Sequence, residues 1–327
     1  MNSIRTPLAL GLTAAAFACA AVAANEATPE VTHQKMERLE SAAPYRGYLK
    51  AHESVHDPLE ILGGPLKISV SQSEGSVYIA LPDHRELDPA VFGRPGRPRA
   101  REGFPGIEGV PLDMRGTEDG KYTEFEDKSP FGNARVVMSK GRLDINAKDI
   151  TATDAATTED QVEMEASWED KDGNEYKIKC CEEMASHGAD FPTFGGVVTG
   201  HILYGSSRGG TPLMPTEYAW FAFWGTGKVF KNGELMDGKR LVHGVLSEGI
   251  RTDGYQLAFD DEVEPTETMF HLIVPPVDPK PEKGTYEKDP VHTGYKLDDG
   301  RELPFWHVIF MKPEVTAARA REKARLK

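Results

Sequence analysis

Cysteine is scarce in this sequence, at three residues in 327, and only Cys180 and Cys181 lie beyond the apolar N-terminal stretch that contains Cys19. One adjacent pair cannot make a disulfide framework, so the fold must stand on its hydrophobic core. After that N-terminal stretch no run is apolar enough to span a membrane, which removes a transmembrane segment from the expected design. Basic residues are in deficit too, with 38 Lys and Arg against 52 Asp and Glu and a formal charge of −14. A surface so acidic repels phosphate, so nucleic acid and anionic membranes are excluded as expected partners. No fixed-period repeat is visible.

What is present begins with a targeting signature. Arg5 supplies a positive start, Pro7 to Ala20 is apolar but short for a bilayer span, and Ala21-Val22-Ala23 fits a small-residue cleavage site. Residues 1–24 therefore read as a cleavable signal peptide, and the mature chain is expected in the periplasm. Cys19 is a poor lipoprotein acceptor, because Ala16-Phe17-Ala18 before it lacks an aliphatic residue.

Residues 25–62 read as an N-terminal helical segment, with Thr28 as N-cap, Pro29 at the first helical position and a helix to about Ser41. From Gly63 the hydrophobic period changes to two. Leu66–Val70 and Ser76–Ala80 predict a hairpin turning at Ser73-Glu74-Gly75, and Gly93–Arg99 reads as a basic, solvated loop. Strands are expected at Ala134–Met138 and Leu143–Ala147 around Lys140-Gly141. A further hairpin pairs Val162–Trp168 with Glu175–Cys180 across Asp170–Asn174. Tyr218–Trp224 is expected to pair with Val229–Leu235 around Asn232-Gly233, Arg240–Leu246 follows Asp237-Gly238, and Met269–Val274 and Phe305–Met311 are the last strands. Glu314–Lys327, rich in Ala with acid early and bases late, reads as a terminal helix. The expectation is an all-β antiparallel sandwich or barrel-like fold in one module or two (63–150 and 151–312). Short helices flank it at both ends, the second in 313–327.

Four residues in one short segment carry soft-ligand chemistry. Cys180, Cys181, Met184 and His187 offer thiolate, thioether and imidazole, a donor set that suits copper first and zinc second, with His201 or His243 as further ligands. A disulfide between neighbours closes almost no loop, so chain entropy gives the pair no purpose. The plainer reading puts one cysteine in the core and the other at a rim. His201, His243, His271 and His307 each lie inside an apolar strand candidate, and imidazoles brought together by a shared sheet can ligate metal or move protons. The strand Tyr218–Trp224 puts Tyr218, Trp220 and Trp224 on one predicted face and Phe221 and Phe223 on the other. Trp220 and Trp224, with His271 and His307, would then wall a small-molecule or glycan pocket; the plainer reading is core. Gly205–Gly209 matches a nucleophile elbow by letter, but Gly209, Gly210 and Pro212 would break the helix the motif requires. Two functions follow as expectations. One is an exported metal-binding β protein, and the other a small-molecule or glycan-binding β module, with or without hydrolase activity.

Overall fold

Long period-two alternation is what this chain turns into structure. In the computed structural model, which describes residues 58–59, 65–81, 93–94, 97–98, 117–118, 121–122, 135–151, 154–156, 158–189, 191–207, 214–251, 258, 263–298 and 300–320, almost everything is strand. In chain order the strands are β1 (Leu66–Gln72), β2 (Val77–Ala80), β3 (Gly93–Arg94), β4 (Arg97–Pro98), β5 (Thr117–Glu118), β6 (Lys121–Tyr122) and β7 (Arg135–Asp149). They continue as β8 (Gln161–Glu169), β9 (Glu175–Met184), β10 (Ser186–Gly188), β11 (Phe191–Gly195), β12 (Val197–Leu203), β13 (Glu217–Lys231) and β14 (Glu234–Gly249). The last are β15 (Glu264–Val274), β16 (Val277–Lys280), β17 (Thr285–Lys288), β18 (Trp306–Met311) and β19 (Glu314–Arg319).

Eight strands close on themselves in the order β7-β2-β18-β15-β14-β13-β9-β8, with β8 pairing back to β7. Every pairing is antiparallel, and closure removes the open edges of these eight strands, while β12 and β19 each pair on one side only among the described residues. Strands from before and after residue 150 therefore pair directly, β7 with β8 and β2 with β18. The interior is filled by side chains such as Ile145, Trp168, Phe221, Phe223, Phe270, Trp306 and Phe310, all 2% exposed or less. Edge-to-face rings link Trp306 to Trp168 at 5.0 Å and to Tyr176 at 5.4 Å, each such pair adding about 0.5–1.5 kcal/mol beyond its buried area. Gly244 admits this packing, since a Cβ there would lie 2.3 Å from Phe223 Cε1 and 2.7 Å from Phe270 Cζ.

Several expected turns prove to be something else. β1 and β2 are collinear along β7, with Gln72↔Leu143 and Val77↔Met138 in one continuous register, so Ser73–Ser76 is an interruption and not a hairpin. Lys140-Gly141 lies inside β7 as a bulge: Lys140 has φ 50°, and Ser139↔Glu169 gives way to Arg142↔Ser167 on the β8 side. Asp237-Gly238 is likewise inside β14, where Lys239 has φ 57° and the register against β13 shifts. Asn232-Gly233, with φ 50° and 81°, is the expected two-residue hairpin turn. The Gly93–Arg99 run, expected as a loop, contains the small β3–β4 ladder.

The predicted C-terminal helix is corrected most clearly. Its first part is β19, paired with the free edge of β1 through Val315↔Val70 and Ala317↔Ile68. Both Val315 and Ala317 pack against the main core, so pairing and burial override the helical propensity of alanine. Residues 1–24 and the helix predicted from Thr28 to about Ser41 lie outside the described residues. Among the described residues, no helix is long and apolar enough to cross a membrane.

Candidate functional site

Strand register decides which side chains can meet on the outer wall of the barrel. On β13, Phe221 and Phe223 belong to the interior, so Ala222 and Trp224 face away from it. Trp224 is opposite His243 on β14, which is opposite Ile273 on β15, which is opposite His307 on β18. One step along, Ala222, Val245, His271 and Ile309 form the next outward row. His271 is therefore diagonal to both His243 and His307, within side-chain reach across an antiparallel ladder. Its Nδ1 lies 2.9 Å from His307 Nε2.

A second layer covers this face. Ala185 N donates to Trp224 O at 2.9 Å and Trp224 N to Gly196 O at 3.0 Å, which pins the ends of the β10–β11 hairpin onto β13. The hairpin delivers His187 and Phe194, with ring centroids 4.6 Å and 5.4 Å from Trp224. The end of β12 delivers Tyr204, whose hydroxyl hydrogen-bonds His243 Nε2. Trp224 and His243 stack at 4.4 Å with an 11° interplanar angle, and His187 stands edge-on to His243 at 6.2 Å. Partners fix the His243 tautomer. Nδ1 is 2.9 Å from the Phe223 carbonyl, which only accepts, so Nδ1 carries the proton and Nε2 receives the Tyr204 O–H.

Burial sets the charge state of the cluster. It pushes His243 down to about 3, with His187 adding to the effect, and His187 down to about 4. His271 and His307 are driven well below the ordinary imidazole range by burial first and by Arg251 second. Glu217 is pushed up to about 8 by burial, with Glu248 adding to the rise. Burial and then Glu217 raise Tyr204. At neutral pH the imidazoles are therefore neutral and Glu217 is a carboxylic acid. Three buried atoms here have no hydrogen-bond partner among the described residues: His187 Nδ1, His271 Nε2 and Glu217 Oε2. Each orphan costs about 1–3 kcal/mol, so together they would consume much of the roughly 5–15 kcal/mol that holds a domain folded.

The predicted site residues separate into groups. Cys180 and Cys181 are bonded to one another as a disulfide, with Cys180 7% exposed. Met184 packs against the main core, whereas His187 joins Trp224 and His243 outside the wall. Among the described residues, no three or more His, Cys, Asp or Glu side chains are grouped to hold a metal ion. His201 stands at the margin, its Nε2 3.1 Å from Asp154 and its Nδ1 3.2 Å from the Thr199 carbonyl. Trp224, His243, His271 and His307 do share a face. Trp220 does not, because the register of β13 against β14 shifts between Ala219 and Phe221 and Trp220 packs in the interior cluster. Sequence reading missed Tyr204 and Glu217. The only local signal was the glycine after Tyr204, where a left-handed pair (φ 57° and 52°) turns the chain back over the sheet. A three-residue 3-10 turn over Gly205–Ser207 follows, not the helix of a nucleophile elbow. The acidic turn after β8 is closed on itself, since Asp170 accepts from Asp172 N, Asn174 N, Asn174 Nδ2 and Tyr176 O–H, each at 2.9 Å. No protein-family model, no curated protein and no solved structure matches this chain.

Proposed function

We propose that this protein is an exported barrel that binds a small, uncharged organic molecule at the cluster of His187, Tyr204, Glu217, Trp224, His243 and His271. The observation that carries this reading is the set of three buried polar atoms without a partner among the described residues, one each on His187, His271 and Glu217. A ligand that offers both donors and acceptors satisfies them, and the aromatic faces of Trp224 and Phe194 supply the apolar contact that makes such a pocket. The imidazoles and the Glu217 carboxyl are neutral, and Arg251 is the buried cation whose charge bears on His271 and His307, so a polar but uncharged ligand adds no further charge to a buried site. A sugar ring or a cyclic amide has this chemistry. The copper or zinc reading needs Cys180 and Cys181 as thiolates, and it is the weaker one while their sulfurs are bonded together.

Native mass spectrometry of protein isolated from the periplasm without chelator tests the proposal. An organic adduct, released on unfolding and lost in His271→Ala, supports it. A stoichiometric metal lost in the Cys180→Ser/Cys181→Ser double variant overturns it in favour of the metal site.

A further inference from the structure

The Cys180–Cys181 disulfide does no work for stability that chain entropy can explain, since the loop it closes is a single peptide unit. Yet the barrel makes room for it. β13 passes the pair with glycine at both 225 and 227. A Cβ at 225 would lie 2.4 Å from Cys181 Sγ and 3.1 Å from Cys180 Sγ, and one at 227 would lie 2.5 Å from the Lys179 carbonyl. Glycine inside a strand weakens it and marks a place where something must approach closely. At Gly225 that something is the pair of sulfurs, and at Gly227 it is the backbone of β9 just before them. The two cysteines also line a groove of about 1000 Å³ on the outer face of β7, β8 and β9, beside the ion pairs Lys179–Glu165 and Lys228–Glu182. Cys180 is almost fully buried in the core cluster, whereas Cys181 is only partly buried at its edge.

We infer that Cys180–Cys181 is a thiol–disulfide exchange site, open through this groove to a small dithiol and separate from the ligand cluster outside the wall. The less buried member, Cys181, takes the attack. A thiolate of the incoming dithiol bonds to Cys181 Sγ, the Cys180–Cys181 bond breaks, and Cys180 leaves with the electron pair and takes up a proton. The second thiol of the same molecule then attacks its own sulfur in the mixed disulfide. That releases Cys181, which is protonated in turn, and leaves a cyclic disulfide as product. Two electrons and two protons pass from the dithiol to the protein.

Dithiothreitol is the probe, applied to the folded mature protein without denaturant and followed by alkylation and peptide mapping. The expected result is reversible, two-electron reduction in mixtures of reduced and oxidised dithiothreitol, with both cysteines alkylated. In single variants, the Cys181 thiol of Cys180→Ser should react with an aromatic disulfide reagent about tenfold or more faster than the Cys180 thiol of Cys181→Ser. Gly225→Ala should displace the sulfurs and raise the reduced fraction at a given dithiothreitol ratio, with unchanged near-ultraviolet dichroism as the check on folding. A disulfide that yields only when the protein unfolds overturns the inference. Equal reactivity of the two thiols, or faster reaction at Cys180, overturns it as well.

Discussion

Acidification is the perturbation to which this fold should answer most directly, because its outer cluster holds four neutral imidazoles. His187 and His243 have folded values near 4 and 3, and His271 and His307 lie well below their ordinary range. When the folded value is below the unfolded one, near 6.5, the unfolded chain takes the proton first. The stability is therefore present above pH 6.5 and is lost as pH falls toward 4. From pH 6.5 to 5.5 each imidazole loses about 1 kcal/mol, or about 4 kcal/mol for the set. Two carboxyls act in the opposite sense. Glu217 is raised to about 8, mainly by burial, and Asp149 to about 7, by burial and then by Asp160 and Asp154. Being protonated in the fold and ionised in the unfolded chain, they return about 1 kcal/mol each over the same unit, leaving a net loss of about 2 kcal/mol. From pH 5.5 to 4.5 the net loss grows to about 3 kcal/mol, and above pH 7 ionisation of the two carboxyls lowers stability again by about 1 kcal/mol. Urea unfolding at pH 8.5, 6.5, 5.5 and 4.5, followed by tryptophan fluorescence, should give a maximum between pH 6.5 and 7. His243→Leu should flatten the acid limb by about 1 kcal/mol per pH unit. Stability that holds level or rises from pH 6.5 to 4.5 would refute the buried, neutral assignment of these imidazoles.

Three substitutions test the packing around this chemistry. Gly244→Ala places a methyl 2.3 Å from Phe223 and should destabilise by about 1–3 kcal/mol through overpacking, read as a lower urea midpoint. Asp170→Ala removes the acceptor for four hydrogen bonds in the β8–β9 turn and should lower stability by about 1–2 kcal/mol, while calcium leaves the melting temperature of the native protein unchanged. Tyr204→Phe strips His243 Nε2 of its donor inside a buried cluster, and a loss of about 1–3 kcal/mol in urea unfolding is expected.

The strands were legible because their alternation is long and regular. Leu143, Ile145 and Ala147 of β7 and Val162, Met164, Ala166 and Trp168 of β8 all point inward as period two requires. Asn232-Gly233 was legible for the same reason that it works, since both residues accept positive φ. Bulges were not legible. Lys140-Gly141 and Asp237-Gly238 carry the same local preference as a turn, and only the partner strand shows that the chain continues straight through. One such irregularity, between Ala219 and Phe221, reverses the faces of β13 and separates Trp220 from Trp224. The histidine cluster depends on three ladders keeping register from β13 to β18, and no local pattern encodes that. Tyr204 and His187 enter it from a covering layer that tertiary contact alone defines.

That covering layer explains why the proposed site lies outside the barrel. Eight strands enclose a bore just wide enough to be filled by side chains, and here Trp168, Trp306, Tyr176, Phe221, Phe223, Phe270 and Phe310 fill it. With that bore filled by side chains, the proposed pocket is made by laying chain over the outer wall, as the β10–β11 hairpin does over Trp224 and His243. The hairpin should then be removable. Its two ends already meet, with Gly196 N donating to Ala185 O at 3.1 Å, so deleting 186–195 and joining Ala185 to Gly196 leaves β9, β12 and β13 in place. The shortened chain should keep the far-ultraviolet signature of the barrel. It should also expose the outer face of Trp224 to quencher and let His243 titrate nearer its ordinary range, which shallows the acid limb of the stability curve. If the shortened chain fails to fold, the hairpin belongs to the barrel's own core and the two-layer account of the site is wrong.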